Sequence, residues 1–155
     1  MARRSSFEIG GFNIPPGTRR TVDLPVSVLS DHTPVNMSAH VIHWAEDGPA
    51  LFVSAAIHGD EVIGVEIARR LLRSRKFSRL KGTLIVVPIV DTFGFLSHSR
   101  YLPDRRDLNR CFPGSEGGSL ASRLAHLFMT EIVARCDLGI DLHSAAIHRT
   151  NMPQI

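Results

Sequence analysis

The sequence predicts an α/β protein, with a mostly parallel sheet flanked by helices and a short antiparallel β lead-in before it. Three observations carry that prediction. Residues 51–57 form an apolar run of strand length, and a helix-period pattern follows at once. Residues 83–90 form a second apolar run rich in β-branched side chains, and residues 136–142 a third. Strands that read as near-continuous apolar runs are buried on both faces, as in parallel sheets with helices on either side. The order strand, helix, strand then implies a parallel pair joined by a right-handed crossover.

In chain order, Gly10-Gly11 and Pro15-Pro16-Gly17 are turn signals in a loose N-terminal stretch. Residues 19–29 alternate well enough for an edge strand, with Pro25 marking an edge or a bulge. Met37, Ala39 and Val41 alternate with Ser38, His40 and Ile42, a second strand. These make the lead-in, residues 1–46. The catalytic-type portion is expected over 47–155. After the strand at 51–57, a helix is expected from Glu61 to about Arg75, with Val62, Val65, Ala68, Leu71 and Leu72 on its core face. Asp60 and Glu61 at its start and Arg73, Arg75 and Lys76 at its end match the helix dipole. Residues 91–118 read as one long polar loop, a length that is usually functional in a compact domain. A second helix is expected over 119–134, capped by Ser119, with Leu120, Leu124, Leu127, Phe128 and Ile132 inward.

Composition narrows the function. The chain has 155 residues, 43% hydrophobic and 21% charged, which suits one folded domain and argues against a disordered chain. Two cysteines give no disulfide framework and fit a reducing, cytoplasmic setting. No apolar signal segment follows the basic start, and no run of about 18 apolar residues exists, so no membrane association is expected. The net charge of +3 comes from sixteen Arg and two Lys scattered among few aromatics. A nucleic-acid surface would cluster them. A small anionic substrate is the better use for a few of the guanidinium groups.

Three polar clusters stand out: His58 with Glu61 and Asp141-Leu-His143, each at the end of an apolar run, and Asp107-Leu-Asn-Arg110 in the long polar loop between them. Two His and one carboxylate are the ligand set of many catalytic zinc sites, which leave a fourth position for water. Zinc brings the pKa of that water to about 7. A His-x-x-Glu pair alone is weak evidence, since this composition gives roughly 0.3 of them by chance. The strand context decides: the C-terminal ends of parallel strands share one sheet edge, so His58 and His143 can converge there. Asp141, two residues from His143, is a candidate to orient that imidazole, or else a capping or solvated residue. Asp60 reads as a helix cap and Arg105 and Arg106 as surface charges. Cys111 has no local base and is not expected to act as a nucleophile. His98 and His148 are not expected to be ligands, and His32, His40, His43 and His126 read as surface or packing residues.

The motifs His58-Gly-Asp-Glu61, Asp107-Leu-Asn-Arg110-Cys-Phe and Asp141-Leu-His143-Ser, in that order, resemble the succinylglutamate desuccinylase/aspartoacylase family, a branch of the zinc carboxypeptidase-like hydrolases. The resemblance covers about residues 50–155. It implies that His58, Glu61 and His143 bind a single Zn2+, that Asn109 and Arg110 bind a substrate carboxylate, and that Arg100, in its Arg-Tyr context, polarises the scissile carbonyl. The implied reaction is hydrolysis of the amide bond of a small anionic N-acyl amino acid. The family's general base is a Glu well beyond the last zinc ligand. No Glu follows Glu131 here. The resemblance therefore implies the N-terminal half of such an enzyme, with impaired catalysis. A catalytically inactive zinc-binding fragment and a peptide-cleaving carboxypeptidase relative stay open, as do a homo-oligomer and a complementing C-terminal half as partners.

Overall fold

A computed structural model describes residues 4–74, 77, 80–145 and 149–155. A small hairpin comes first, β1 (Phe7–Ile9) and β2 (Phe12–Ile14), joined by Gly10 and Gly11 at φ of 56° and 75°. A two-residue turn with both φ positive matches the twist of the strands it joins, and glycine adopts it without strain. The hairpin buries Ile9 and Ile14 completely against the rest of the core.

The main sheet has five strands: β3 (Thr18–Val28), β4 (Pro34–His43), β5 (Ala50–Ala55), β6 (Thr83–Val87) and β7 (Leu138–Leu142), in the spatial order β3-β4-β6-β5-β7. β5 lies parallel to both β6 and β7. β4 runs antiparallel to β3 and to β6. The sheet is therefore mixed, with a parallel half that follows from the three apolar runs. The two lead-in strands do not stand apart from it. Val35, Met37, Ala39 and Val41 alternate inward along β4, and a two-stranded ribbon has nothing of its own to bury them against. They join the common core through β6, so the boundary expected at 46/47 falls inside one sheet. β3 forms the edge, with its bulge at Pro25 to Ser27 where proline interrupts the ladder.

Successive residues of a strand face opposite sides, and β6 shows this plainly. Ile85 and Val87 join the layer under α3 (Leu120–Glu131), with Leu124, Ala125 and Phe128. Leu84 and Val86 join the layer under α1 (Ile63–Arg73), with Val53 and Ala68. All five residues of β6 are buried, so the sheet is covered on both faces at its centre. Ser119 caps α3 as expected, its hydroxyl accepting from Ser122 N at 3.3 Å, and Asp104 accepts from Ala121 N at 3.0 Å.

The helices differ from expectation at α1, at the end of α3 and in the 91–118 stretch. α1 starts at Ile63 rather than Glu61, because Glu61 turns its carboxylate into the interior instead of leading a helix. Val62 is consequently 45% exposed and not on the core face. α1 ends at Arg73, with Ser74 extended; Arg75, Lys76 and His148 lie outside the described residues. α3 stops at Glu131, and a 3-10 turn (Val133–Arg135) follows where the sequence pattern predicts helix as far as Ala134. The stretch read as a polar loop holds α2 (Thr92–Ser97) and a 3-10 turn (Leu108–Arg110), anchored by the buried Leu102 and Leu108. Among the described residues, no helix is long and apolar enough to cross a membrane.

Asp91 caps α2: its carboxylate accepts from Gly94 N at 2.8 Å while the residue is fully buried. The other oxygen, Oδ2, meets no hydrogen-bond donor among the described residues. Burial pushes its pKa from an ordinary 3.8 up to about 6, against the pull of the Gly94 and Phe93 amides. A carboxyl whose folded pKa is raised favours the fold when protonated, so its contribution falls as pH rises from about 4 to about 6 and stays low above that. Asp91→Asn keeps an acceptor for Gly94 and removes the charge. We expect it to flatten this segment of the stability profile and to raise stability at pH 7 by at most about 3 kcal/mol, read by urea unfolding at pH 4, 5, 6 and 7. An unchanged slope would show that Asp91 does not titrate there.

Candidate metal centre

The site begins where β5 ends. Ala56, fully buried, adopts φ of 51° and turns the chain out of the strand. This left-handed conformation is uncommon outside glycine and turns up where a loop is tightly determined. His58, Gly59, Asp60 and Glu61 follow, with Glu61 N donating to His58 O at 3.1 Å. Gly59 packs backbone to backbone on α2: a Cβ there would lie 1.8 Å from the carbonyl carbon of Gly94. Gly59 N also donates to Ser99 O at 3.1 Å, which ties the turn that carries His58 to the segment that carries Arg100.

His143 arrives from the other side. β7 is the parallel neighbour of β5, with Leu142 opposite Ala55, so the residues that follow both strands emerge side by side. His58 and Glu61 are 2% and 3% exposed. Glu61 Oε1 lies 2.8 Å from His58 Nδ1, and Glu61 Oε2 lies 3.1 Å from His143 Nδ1 and accepts from Ser144 N at 2.7 Å. One ligand atom from each of the three residues falls within 4.8 Å of the others, and the two rings sit 5.2 Å apart between centroids.

The outward ring nitrogens are each held by a carboxylate. His58 Nε2 is 3.0 Å from Asp107 Oδ1, and His143 Nε2 is 2.6 Å from Asp141 Oδ2. Of the two roles open to Asp141, the structure places its carboxylate against the outer nitrogen of His143. For Asp141, burial alone would raise the pKa, but the hydrogen bonds from His143 and Ser54 outweigh it and hold the group low. Asp107 is likewise held low against its burial, by the His58 hydrogen bond and charge, by Arg100 and by the Asn109 amide. The Asp141 hydrogen bond raises the pKa of His143 against its desolvation.

Arg100 lies across the opening. Its Nε and Nη2 reach Asp107 Oδ2 at 3.2 and 3.1 Å, and Nη1 lies 3.3 Å from His58 Nδ1 and 3.6 Å from Glu61 Oε1. A proton on His58 Nδ1 is donated to Glu61, and one on Nε2 to Asp107. A metal ion would take the place of the inward proton on each ring, leaving the outer nitrogen to the carboxylate behind it. Imidazoles held from behind by carboxylates are the usual company of a bound transition metal, so the donor set fits a metal ion.

Asn109 and Arg110 are on the 3-10 turn immediately after Asp107, both exposed. Asn109 N donates to Asp107 Oδ1 at 2.9 Å, and the Arg110 guanidinium reaches Asn109 O at 3.4 Å. Cys111 donates to Asp107 O, and burial raises its thiol pKa, which argues against nucleophilic use. His43 is buried between Thr83 and Ser5 O, a packing role. Two participants had no assigned role in the sequence reading. Asp107 stood inside a recognised motif, but its link to His58 spans 49 positions. Ser54 is a lone hydroxyl in an apolar run, and a buried hydroxyl needs a partner; that was its available signal.

Fold and site together define an α/β protein with a His–Glu–His cluster at the C-terminal edge of parallel strands. Residues 47–155 match the model of the succinylglutamate desuccinylase/aspartoacylase catalytic domain, and the chain belongs to this family. The chain is 32% identical, over 99 residues, to an N-alpha-acetyl-L-2,4-diaminobutyric acid deacetylase of Halomonas elongata, covering 63% of this chain and 29% of that protein. The crystal structure of a succinylglutamate desuccinylase/aspartoacylase from Rhodobacter sphaeroides superposes with a TM-score of 0.76 at 28% identity, over 83% of this chain and 40% of that one. The product-bound ectoine utilization protein EutE (DoeB) from Ruegeria pomeroyi superposes with a TM-score of 0.72 at 30% identity, over 81% and 40%. The chain thus spans well under half the length of these relatives.

The Gly59–Gly94 contact sets the spacing between the His58 turn and Arg100. Gly59→Ala should force α2 away and cost at least about 2 kcal/mol in urea unfolding. Gly117→Ala, where a Cβ meets nothing within 4 Å, should stay within about 0.5 kcal/mol of the parent. Equal effects would show that the backbone contact is not what holds α2.

Proposed function

We propose that the chain is the metal-binding portion of a zinc-dependent hydrolase that cleaves the amide bond of a small N-acyl amino acid. The observation that carries this reading is the convergence of two imidazole nitrogens on one buried carboxylate, with both rings held from behind by Asp107 and Asp141. His58, Glu61 and His143 would hold the zinc ion. When bound, zinc supplies Lewis acidity and brings the pKa of water to about 7. The deacetylase likeness at 32% identity supports an acylated amino acid as the substrate class.

The chain's own residues divide the remaining work. With the ion bound, Asp107 and Asp141 would accept from the outer ring nitrogens and so leave the inner lone pairs to it. Arg100, its side chain 29% exposed, stands beside the cluster and steadies negative charge that develops on a carbonyl oxygen. Asn109 and Arg110, exposed next to Asp107, bind the substrate carboxylate, for which a guanidinium offers two parallel hydrogen bonds. Glu61, Asp107 and Asp141 are each committed to imidazole or guanidinium partners. None of these three is free to take a proton from water, and a general base is typically worth 10²–10⁴-fold. The 155 residues should therefore bind metal well and hydrolyse slowly.

Equilibrium dialysis against zinc should give a single tightly held ion per chain. His143→Ala should weaken binding by more than the roughly 10–100-fold that an outer partner of a ligand is worth. Amine release from N-acetyl and N-succinyl amino acids should be slow, abolished by chelator and weakened in KM by Arg110→Ala. Release that chelator leaves unchanged would contradict the reading.

A further inference from the structure

Ser54 is the next-to-last residue of β5, between Val53 and Ala55, with no exposed surface. Its hydroxyl donates to Asp141 Oδ1 at 2.7 Å. The contact is set by the sheet itself, since Ser54 and Asp141 are register partners in the parallel β5–β7 pair. From Asp141 the chain of contacts continues through Oδ2 to His143 Nε2 at 2.6 Å, and from His143 Nδ1 to Glu61 at 3.1 Å. A hydroxyl in the sheet interior thus connects to the point where the ligand atoms meet.

The two histidines are supported differently. Asp107, behind His58, is fixed by Arg100 at 3.1 and 3.2 Å and by Asn109 N at 2.9 Å. Asp141, behind His143, has Ser54 as its hydrogen-bond partner besides the histidine, among the described residues. His143 also follows the strand at the sheet edge, where Leu138 is 62% and Ile140 49% exposed, and its own side chain is 36% exposed. The His143 ring keeps its orientation only if the carboxylate behind it is held, and Ser54, across the β5–β7 pair, holds Asp141 through Oδ1.

We propose that Ser54 is a positioning residue for metal binding: through Asp141 it holds the His143 ring with Nδ1 turned toward Glu61. This rests on the reading of the His58–Glu61–His143 cluster as a metal centre. Outer partners of metal-ligating histidines are worth 10–100-fold in affinity, and one hydroxyl acting through one carboxylate belongs at the lower end.

The test is zinc affinity, by competition with a chromophoric chelator, for the parent chain and for Ser54→Ala, Ser54→Cys, Ser54→Thr, Asp141→Asn and the double variant S54A/D141N. Circular dichroism of the metal-free chains reports folding separately. Ser54→Ala should lose about tenfold in affinity. Ser54→Cys, of similar size but with a weak S–H donor, should lose a comparable amount, and it carries the test if Ser54→Ala does not fold. Ser54→Thr keeps the hydroxyl and should recover most of the loss. In the Asp141→Asn background, Ser54→Ala should add less than about twofold, because the two act along one path. Unchanged affinity in both Ser54→Ala and Ser54→Cys would overturn the proposal. So would a tenfold loss that persists undiminished in the Asp141→Asn background, since the effect would then not run through Asp141. A folded parent chain that binds no zinc would instead overturn the metal-centre reading on which the proposal stands.

Discussion

Glu61 places a carboxylate in a position that is 3% exposed, and the surrounding groups are arranged to make that tolerable. An ionised carboxylate so far from water costs several kcal/mol unless it is paired and hydrogen-bonded. Its two oxygens face His58 Nδ1, His143 Nδ1, the Ser144 amide and, at 3.6 Å, the Arg100 guanidinium. These partners come from three separate stretches of chain: the end of β5, the residues after β7, and, through the Gly59–Gly94 packing and the Gly59 to Ser99 hydrogen bond, the segment after α2. Strand order, the start of α1 and the seat of α2 can all be traced to delivering those groups to one carboxylate.

Parallel pairing does the geometric work. With β7 beside β5 in register, the turns after both strands leave the sheet on one edge. The site therefore needs no long excursion of backbone, and its two imidazoles come from rigid strand ends. The loop residues, Arg100 and Asp107, are then held by contacts to the cluster itself. The His–Glu–His cluster is built at the sheet edge, and Arg100, Asn109 and Arg110 come from the 91–118 stretch, with Asp107 joining the two by touching His58, Arg100 and the Asn109 amide together.

Much of this was legible in the residues. The apolar runs mark β5, β6 and β7, and the polar residues just past β5 and β7 mark the His58–Glu61–His143 cluster, because the ends of parallel neighbours share one sheet edge. Residues 91–118 were harder to read. α2 is six residues long, has no hydrophobic period of its own and is held by the Asp91 cap and by a glycine-to-glycine contact with a segment more than thirty positions away. Val62 fits a helical period yet is exposed, because the Glu61 carboxylate belongs to the cluster and the helix starts only at Ile63. Ser54 and Asp107 act through contacts spanning 87 and 49 positions, and no local pattern encodes those.

The absorption spectrum of the Co2+-substituted chain tests the central claim most directly, since visible d–d bands report coordination number and ligand type without requiring turnover. If His58, Glu61 and His143 close on one ion, the spectrum is that of a four- or five-coordinate nitrogen–oxygen site, and Glu61→Ala abolishes it. A weak six-coordinate, aqua-like spectrum that Glu61→Ala leaves unchanged would contradict the account: the buried carboxylate would then be a structural ion pair, and the two imidazoles its partners rather than fellow ligands.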